Sequence, residues 1–413
     1  MPELTVTVTV PLPKQPTLAG LERAIFKALM AAGRELLLQA FRACEEAVLT
    51  GAKQRRRRRY LITRFGQIRF SRWQTRTEEG YRYPLDRALG IPAGDPCSPW
   101  VRATAAWLAQ AHPYRQAARL LGRMIGTPVD HRRLWGWTQA SGRAVKGHFE
   151  GLRASLFDDG EAPAFAGPAP PIVSTSADGT FIHSRDGPIE VKLGLWWTGA
   201  RLSSPTARHR RYLLQGKGFY ATTRDADFFG QTFYALAADR VGIASAKEEF
   251  FISDGAGWLA DLPTEWIAPT AVQLDHFHGK LRISEVALDP DRAARWWAWV
   301  AEHNLGALGR SIRRLIAEQK VDHKEGINLL AYLERGAGAL HTYLRLQEAG
   351  HSAQMAPRGS GGMEHNVDLV VARRFKRQGM RSWSREGADN LLALRVLAMN
   401  PTTWRGWWGD AGD

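Results

Sequence analysis

The spacing of apolar residues divides this chain into stretches of helical and of strand period. Leu18, Leu21, Ile25, Leu29, Leu36 and Leu37 recur on roughly one side of a helix, so residues 17–49 are predicted as one long amphipathic helix. Segment 60–83 reads as short strands, Tyr-Leu-Ile-Thr and then Gln-Ile-Arg-Phe-Ser-Arg-Trp, separated by turn residues and able to form a small β-ribbon. Residues 99–143 return to helical period. Tyr114 to Met124 form one helix, Gly126-Thr127-Pro128 breaks it, and Asp130 is placed to cap a second helix starting at His131. Val129, Leu134 and Trp137 are expected to pack inward, with His131, Arg132, Arg133 and Gln139 facing out. That is the pattern of a helix-turn-helix whose second helix enters the major groove, although a plain helical hairpin shares the spacing.

Residues 155–171 are acidic and then rich in Pro, Ala and Gly, and read as an interdomain linker. Beyond them the pattern switches to strands at 172–178, 189–198 and 211–223, a helix at 226–241, and strands at 249–254 and 271–275. Helical period resumes from 284 to 350, where Trp296, Trp297 and Trp299 are expected in a core, and two helices follow at 361–376 and 385–399. The expected organisation is α+β and multidomain. Residues 1–98 form a helical and β DNA-binding region, 99–154 a helix-turn-helix domain, and 155–171 the linker. Residues 172–283 form the first part of a catalytic core, 284–356 an all-α insertion, and 357–413 the C-terminal helices of that core.

Charge sharpens this picture. The chain of 413 residues carries a formal net charge of +15, which makes a polyanion the expected partner. Arg55 to Arg59 form an unbroken basic run, either a solvated face or a DNA-backbone contact. With only Cys44 and Cys97, far apart, a disulfide framework and a cysteine-rich zinc ribbon are excluded, and two free thiols suit a reducing cytoplasm. The N-terminal pattern gives no signal peptide and no apolar stretch reaches membrane-spanning length, so a cytoplasmic, nucleoid-associated protein is expected.

Three acidic residues carry the chemistry. Asp178 (Ser-Ala-Asp-Gly-Thr) and Asp254 (Ile-Ser-Asp-Gly-Ala-Gly-Trp) each close a run rich in β-formers, and Glu364 sits just inside a predicted helix. Each has an ordinary reading alone: Asp-Gly is a common turn, and a first-turn glutamate suits the helix dipole. Their order is that of an RNase H-like fold, in which carboxylates on the first and fourth strands and on a late helix hold two divalent cations. The span from Asp254 to Glu364 is too long for one connecting helix, hence the insertion. Asp275 and His278 in Leu-Asp-His-Phe-His lie near the same sheet edge; metal ligation, a substrate-strand contact and structural support all remain open for His278. Arg358 and the glycine-rich run before Glu364 suit a phosphate at a helix N-terminus, where Ser360 could equally cap the helix. Arg373, Arg374, Lys376 and Arg377 would extend a basic track.

These motifs together resemble the prokaryotic insertion-sequence transposases of the DDE type, of the ISLre- and ISKra-like groups. The resemblance spans most of the chain: Tyr83-Pro84-Leu85-Asp86, Tyr114-Arg115-Gln116-Ala117-Ala118, Ser-Ala-Asp178-Gly, Asp254-Gly-Ala-Gly-Trp258 and Leu274-Asp275-x-x-His278. It also covers Gly359-Ser-Gly-Gly-Met-Glu364, Arg377 to Trp383, and Gly387 to Arg395. It implies Asp178, Asp254 and Glu364 as a catalytic triad holding two Mg²⁺ ions (Mn²⁺ able to substitute), with Asp275 and His278 similar to an accessory motif. It further implies double-stranded DNA as substrate, both terminal inverted repeats and target, and at least a dimer in the active complex. Relatives with a cysteine pair before Pro84 differ here, since Thr75 to Tyr83 contains none and no zinc knuckle is expected. An RNase H-like nuclease or resolvase without strand transfer, and a transposase retired to DNA binding, are the alternatives.

Overall fold

The computed structural model describes residues 3–12, 14–49, 53–78, 80–203, 212–255, 257–262 and 271–412. Arg211, the first residue of the expected 211–223 strand, and Ala256, inside the Asp254–Trp258 motif, lie outside the described residues. The chain forms two compact units, Met1–Ser141 with Pro401–Asp413, and Gly142–Asn400.

In the first unit, helix α1 (Leu18–Val48) starts at Thr17, whose side chain accepts the Gly20 N–H at 3.1 Å. Its early apolar residues Leu18, Ile25, Phe26 and Leu29 are exposed; packing begins further along, where Phe41 joins Leu61, Ile68, Phe70, Leu85 and Ile91 in a core. Strands β1 (Lys53–Thr63), β2 (Gly66–Thr77) and β3 (Gly80–Arg82) form an antiparallel sheet in that order. The turn needs Gly66, whose φ is +93°. The arginine run therefore lies inside a strand rather than ahead of the ribbon. Five like residues in succession conceal the period-two alternation that would announce a strand. The pairings Arg59↔Phe70 and Arg58↔Ser71 nevertheless put successive arginines on opposite faces.

Short α2 (Pro84–Ala88) leads to α3 (Pro99–Ala111), α4 (Tyr114–Ile125) and α5 (His131–Phe157). Alanines allow close approach here: Ala105, Ala109, Ala117 and Ala118 meet Val101, Leu121, Ile125, Leu134 and Trp137 in one core. Gly126 ends α4 with φ +64°, and Asp130 accepts the N–H groups of Arg132 and Arg133 at 2.9 and 3.1 Å, as the sequence led one to expect. Helix α5 is longer than expected, because nothing breaks helical period before Asp158-Asp159-Gly160. The division between the units falls within it, so the segment 155–171 lies wholly inside the second unit.

The second unit is built on a five-stranded sheet. Strands β4 (Val173–Ser184) and β5 (Gly187–Trp197) form a hairpin; β6 (Gly199–Leu202) and β7 (Tyr212–Gln215) make a separate pair; β8 (Gly218–Thr222), β9 (Glu249–Ser253) and β10 (Ala271–Leu274) complete the order β10-β9-β4-β5-β8. β5 is antiparallel to both of its neighbours, β4 and β8, whereas β9 and β10 run parallel to β4. Helix α6 (Ala226–Val241) packs Phe229 and Phe233 on the sheet at Gly194, where an added Cβ would fall 2.4 Å from the Phe233 ring. Short α7 (Gly257–Leu262) follows β9.

Helices α8 (His276–Ala287), α9 (Pro290–Ala301), α10 (Leu305–Ala317) and α11 (His323–Gly336) share a core of Ile283, Trp296, Val300, Leu308, Ile312 and Leu333, and α12 (Thr342–Glu348) follows. Trp296 is fully buried and donates its indole N–H to Ser311 at 3.0 Å, so this tryptophan is core, as expected. After α13 (Gly361–Val367) the helix widens into a π turn at Asp368–Ala372 and resumes as α14 (Arg373–Phe375). Helix α15 (Arg385–Ala398) is buried along most of its length, and its Arg395 guanidinium donates to the carbonyls of Leu369 and Val370 in the π turn. Helix α16 (Pro401–Trp408) belongs to the first unit, where Trp404 meets Trp107 edge-on at 5.1 Å. No helix among the described residues is long and apolar enough to cross a membrane.

Candidate metal centre

Parallel pairing aligns the acidic residues. β4 and β9 pair with Ser176 opposite Ile252, and continuing that register by two residues sets Asp178 level with Asp254. β10 pairs with β9 through Leu274 and Ser253, so Asp275 is the next position in the same row, its N–H donating to the Ser253 carbonyl at 2.9 Å. By this register Asp254 and Asp275 follow directly on the ends of β9 and β10, level with Asp178 inside β4.

Burial pushes the Asp178 carboxyl above its usual range; the Gly179 N–H, 2.7 Å from Oδ1, works against this, and the neighbouring charges of Asp254 and Glu364 add to it. Asp178, Asp254 and Glu364 therefore sit within electrostatic reach of one another. Glu364 occupies the first turn of α13, half exposed. Among the described residues a different trio, Asp275, His278 and Glu364, could hold a metal ion, its ligand atoms all lying within 4.8 Å of one another.

Asp275 organises this corner. It caps α8, Oδ1 accepting the N–H groups of Phe277 at 2.6 Å and His278 at 3.2 Å. Oδ2 accepts the Ser360 N–H at 2.6 Å and also its hydroxyl proton. Burial alone would raise this carboxyl, but the hydrogen bonds from Ser360 and His278 outweigh it and hold it below the usual range. Ser360 thus does not cap α13 with its side chain; its hydroxyl is turned to Asp275 instead. The Tyr332 hydroxyl, from α11, donates to the Asp254 carbonyl at 2.8 Å and ties the helical region to the end of β9. No local sequence signal marks Tyr332, since its partner is distant in the chain.

A divalent cation fits this donor set. Asp275, His278 and Glu364 bring hard oxygen and imidazole donors within 4.8 Å of one another, and Asp178 and Asp254 add carboxylates beside Glu364. The surrounding cations sort themselves by burial. Arg358 and Arg377 are exposed, and Lys376 donates to the Thr180 hydroxyl at 2.5 Å, two residues beyond Asp178. Arg373 pairs with Asp368 at 2.9 Å. Arg374 corrects the expected basic track. It is 2% exposed and packs over the Trp383 ring, because the π turn rotates it into the core.

The first unit sorts its arginines in the same way. Arg59 joins Arg72 on Oδ2 of Asp86, at 2.6 and 2.7 Å, and also donates to the carbonyls of Pro92 and Asp95. These contacts fix it in the fold, and it also lines the cleft described below. Arg55 bonds Gln74, and Arg56 pairs with Glu45 at 2.9 Å beneath the Trp73 ring. Arg57 and Arg58 are exposed. Arg58 lines a cleft of about 770 Å³ together with Arg42, Tyr60, Arg69 and Arg133. Arg42 and Arg69 escaped the sequence reading, although Arg69 alternates with buried Ile68 and Phe70. On α5, Arg132 and Arg133 are exposed and His131 partly so, but Gln139 is buried and bonded to the Tyr114 hydroxyl at 3.2 Å; its position on the helix turns it inward beside Thr138.

Residues 206–410 match the model of an uncharacterised protein family (UPF0236). The match takes in Asp254, Asp275, His278 and Glu364 and begins after Asp178. No curated protein matches the chain.

Proposed function

We propose that this chain is a DDE-type DNA transposase with an RNase H-like catalytic core. The observation that carries the reading is the level row of Asp178 and Asp254 on neighbouring parallel strands, with Glu364 brought to it from a late helix. The strand order supports it, an antiparallel three-stranded meander extended by two parallel strands on the side of its first strand. In this reading the helix-turn-helix of α4 and α5 and the arginine-lined cleft engage the terminal inverted repeats.

Asp178, Asp254 and Glu364 would hold divalent cations, Mg²⁺ or Mn²⁺. When bound, such ions supply a nucleophile of lowered pKa and charge stabilisation for the leaving oxygen. The chain's own groups position the DNA. Lys376 and Arg358 offer positive charge to backbone phosphates beside the row, and Tyr332 and Ser360 fix the segments that carry Asp254 and Glu364. Cleavage at the element's end would free a 3′-hydroxyl, which then displaces a phosphodiester in target DNA. Joining two ends requires at least two copies of the chain.

A strand-transfer assay tests this, using purified protein, Mg²⁺ and DNA from the flanks of its own gene. Joined products that vanish in Glu364→Gln are expected. Cleavage without joining points to a nuclease, and specific binding with neither reaction to a retired transposase.

A further inference from the structure

We propose that His278 is a direct metal ligand, oriented by Asp275, and that the ion beside Glu364 is held by a mixed nitrogen and oxygen set that favours Mn²⁺ over Mg²⁺. This rests on the metal-dependent reading above and deepens it.

The argument begins with what Asp275 can still do. Its two oxygens already accept four donors, the N–H groups of Phe277, His278 and Ser360 and the Ser360 hydroxyl. It is 1% exposed, so it has little capacity left for an ion. His278 is differently placed. One ring nitrogen, Nδ1, lies 3.3 Å from Asp275 Oδ2, and the other, Nε2, lies 3.9 Å from Glu364 Oε1. Nδ1 makes no hydrogen bond among the described residues, so Asp275 places the ring by close approach and by starting its helix, with Nε2 turned toward Glu364. A carboxylate on one side of an imidazole and a second beyond its other nitrogen is the setting in which histidine ligates a metal.

The spacing also fits. Two ligands each about 2.1 Å from one ion can be at most about 4.2 Å apart, and the gap of 3.9 Å lies under that limit. The ring is held rather than free: its helix starts at Asp275, and Asp275 is locked by Ser360 on the segment leading to Glu364. An imidazole ligand changes ion preference. Mg²⁺ takes oxygen ligands and retains water, whereas nitrogen donors suit the transition ions.

The test uses the full-length protein loaded with Mn²⁺ alone. Pulsed electron paramagnetic resonance should detect coupling to an imidazole ¹⁴N in wild type and lose it in His278→Ala. By calorimetry, Mn²⁺ affinity should fall about tenfold or more in that variant, with a smaller change for Mg²⁺. His278→Gln, which keeps a polar side chain without the ring, should behave alike, and circular dichroism checks that both variants fold. Mn²⁺ bound without nitrogen coupling, or an unchanged ratio of Mn²⁺ to Mg²⁺ affinity in both variants, would overturn the proposal and leave the carboxylate reading standing. Wild type that binds neither ion would overturn both.

Discussion

Ser360 gives both its backbone N–H and its hydroxyl to a single oxygen of Asp275. This one contact joins the segment that launches Glu364 to the residue that starts the helix of His278. Hydrogen bonds to a charged acceptor contribute about 1.5–3 kcal/mol. Ser360→Ala deletes the hydroxyl and spares the N–H. Stability from urea unfolding should fall by about 1–3 kcal/mol, and Mn²⁺ binding should weaken even where the variant remains folded. Unchanged metal affinity would mean that the contact supports the fold alone.

The crowding around Asp178 predicts a trade between stability and chemistry. Burial and the charges of Asp254 and Glu364 disfavour its ionised form, so Asp178→Asn relieves repulsion in the metal-free protein. Thermal melting without metal should occur at equal or higher temperature than wild type. Added Mg²⁺ or Mn²⁺ should then raise the wild-type midpoint but not the variant's, while DNA cleavage drops more than about 100-fold. A variant that is less stable and still responds to metal would remove Asp178 from the site.

The arginines separate into two classes that mutation can distinguish. Asp86 is shared by two poorly exposed guanidinium groups, and Asp86→Asn would leave both underpaired at a cost of about 3–5 kcal/mol. Arg58→Ala and Arg133→Ala touch the open cleft instead. They should leave the melting temperature unchanged, weaken DNA binding, and each reduce the salt dependence by about one phosphate contact. Fluorescence anisotropy over a salt series, beside thermal melts, checks both classes.

What could be read from the sequence follows from the range of the forces involved. The strand before Asp254 was legible because its apolar run stops just before Asp-Gly, whereas β4 continues through Asp178-Gly179 to Ser184, since pairing with β5 overrides the local turn signal. The break at Gly126 and the cap at Asp130 were also legible as local signals. Arg59, Arg374 and Gln139 were misread as surface because a charged or amide side chain normally seeks water. Their burial depends on partners far along the chain: Asp86 for Arg59, Trp383 for Arg374 and Tyr114 for Gln139. Tyr332 and the Ser360–Asp275 contact were likewise hidden, since each joins positions that only the folded chain brings together.

Glu249 opens β9, the strand that leads into Asp254, and burial pushes its carboxyl from an ordinary 4.5 up to about 7. The direction of the pH effect follows from proton counting. Between these values the folded protein keeps the proton and the unfolded chain has lost it, so stability falls as pH rises from about 4.5 to about 7. Above that window both states are ionised and this group adds no further slope. Glu249→Gln is uncharged throughout, so its melting temperature should decline less than wild type's between these limits and exceed it on the alkaline side. Differential scanning calorimetry at several pH values decides the matter. Parallel curves for the two proteins would show that Glu249 ionises normally, and would place any acid-to-neutral loss of stability on the Asp178 cluster, whose raised carboxyl acts with the same sign.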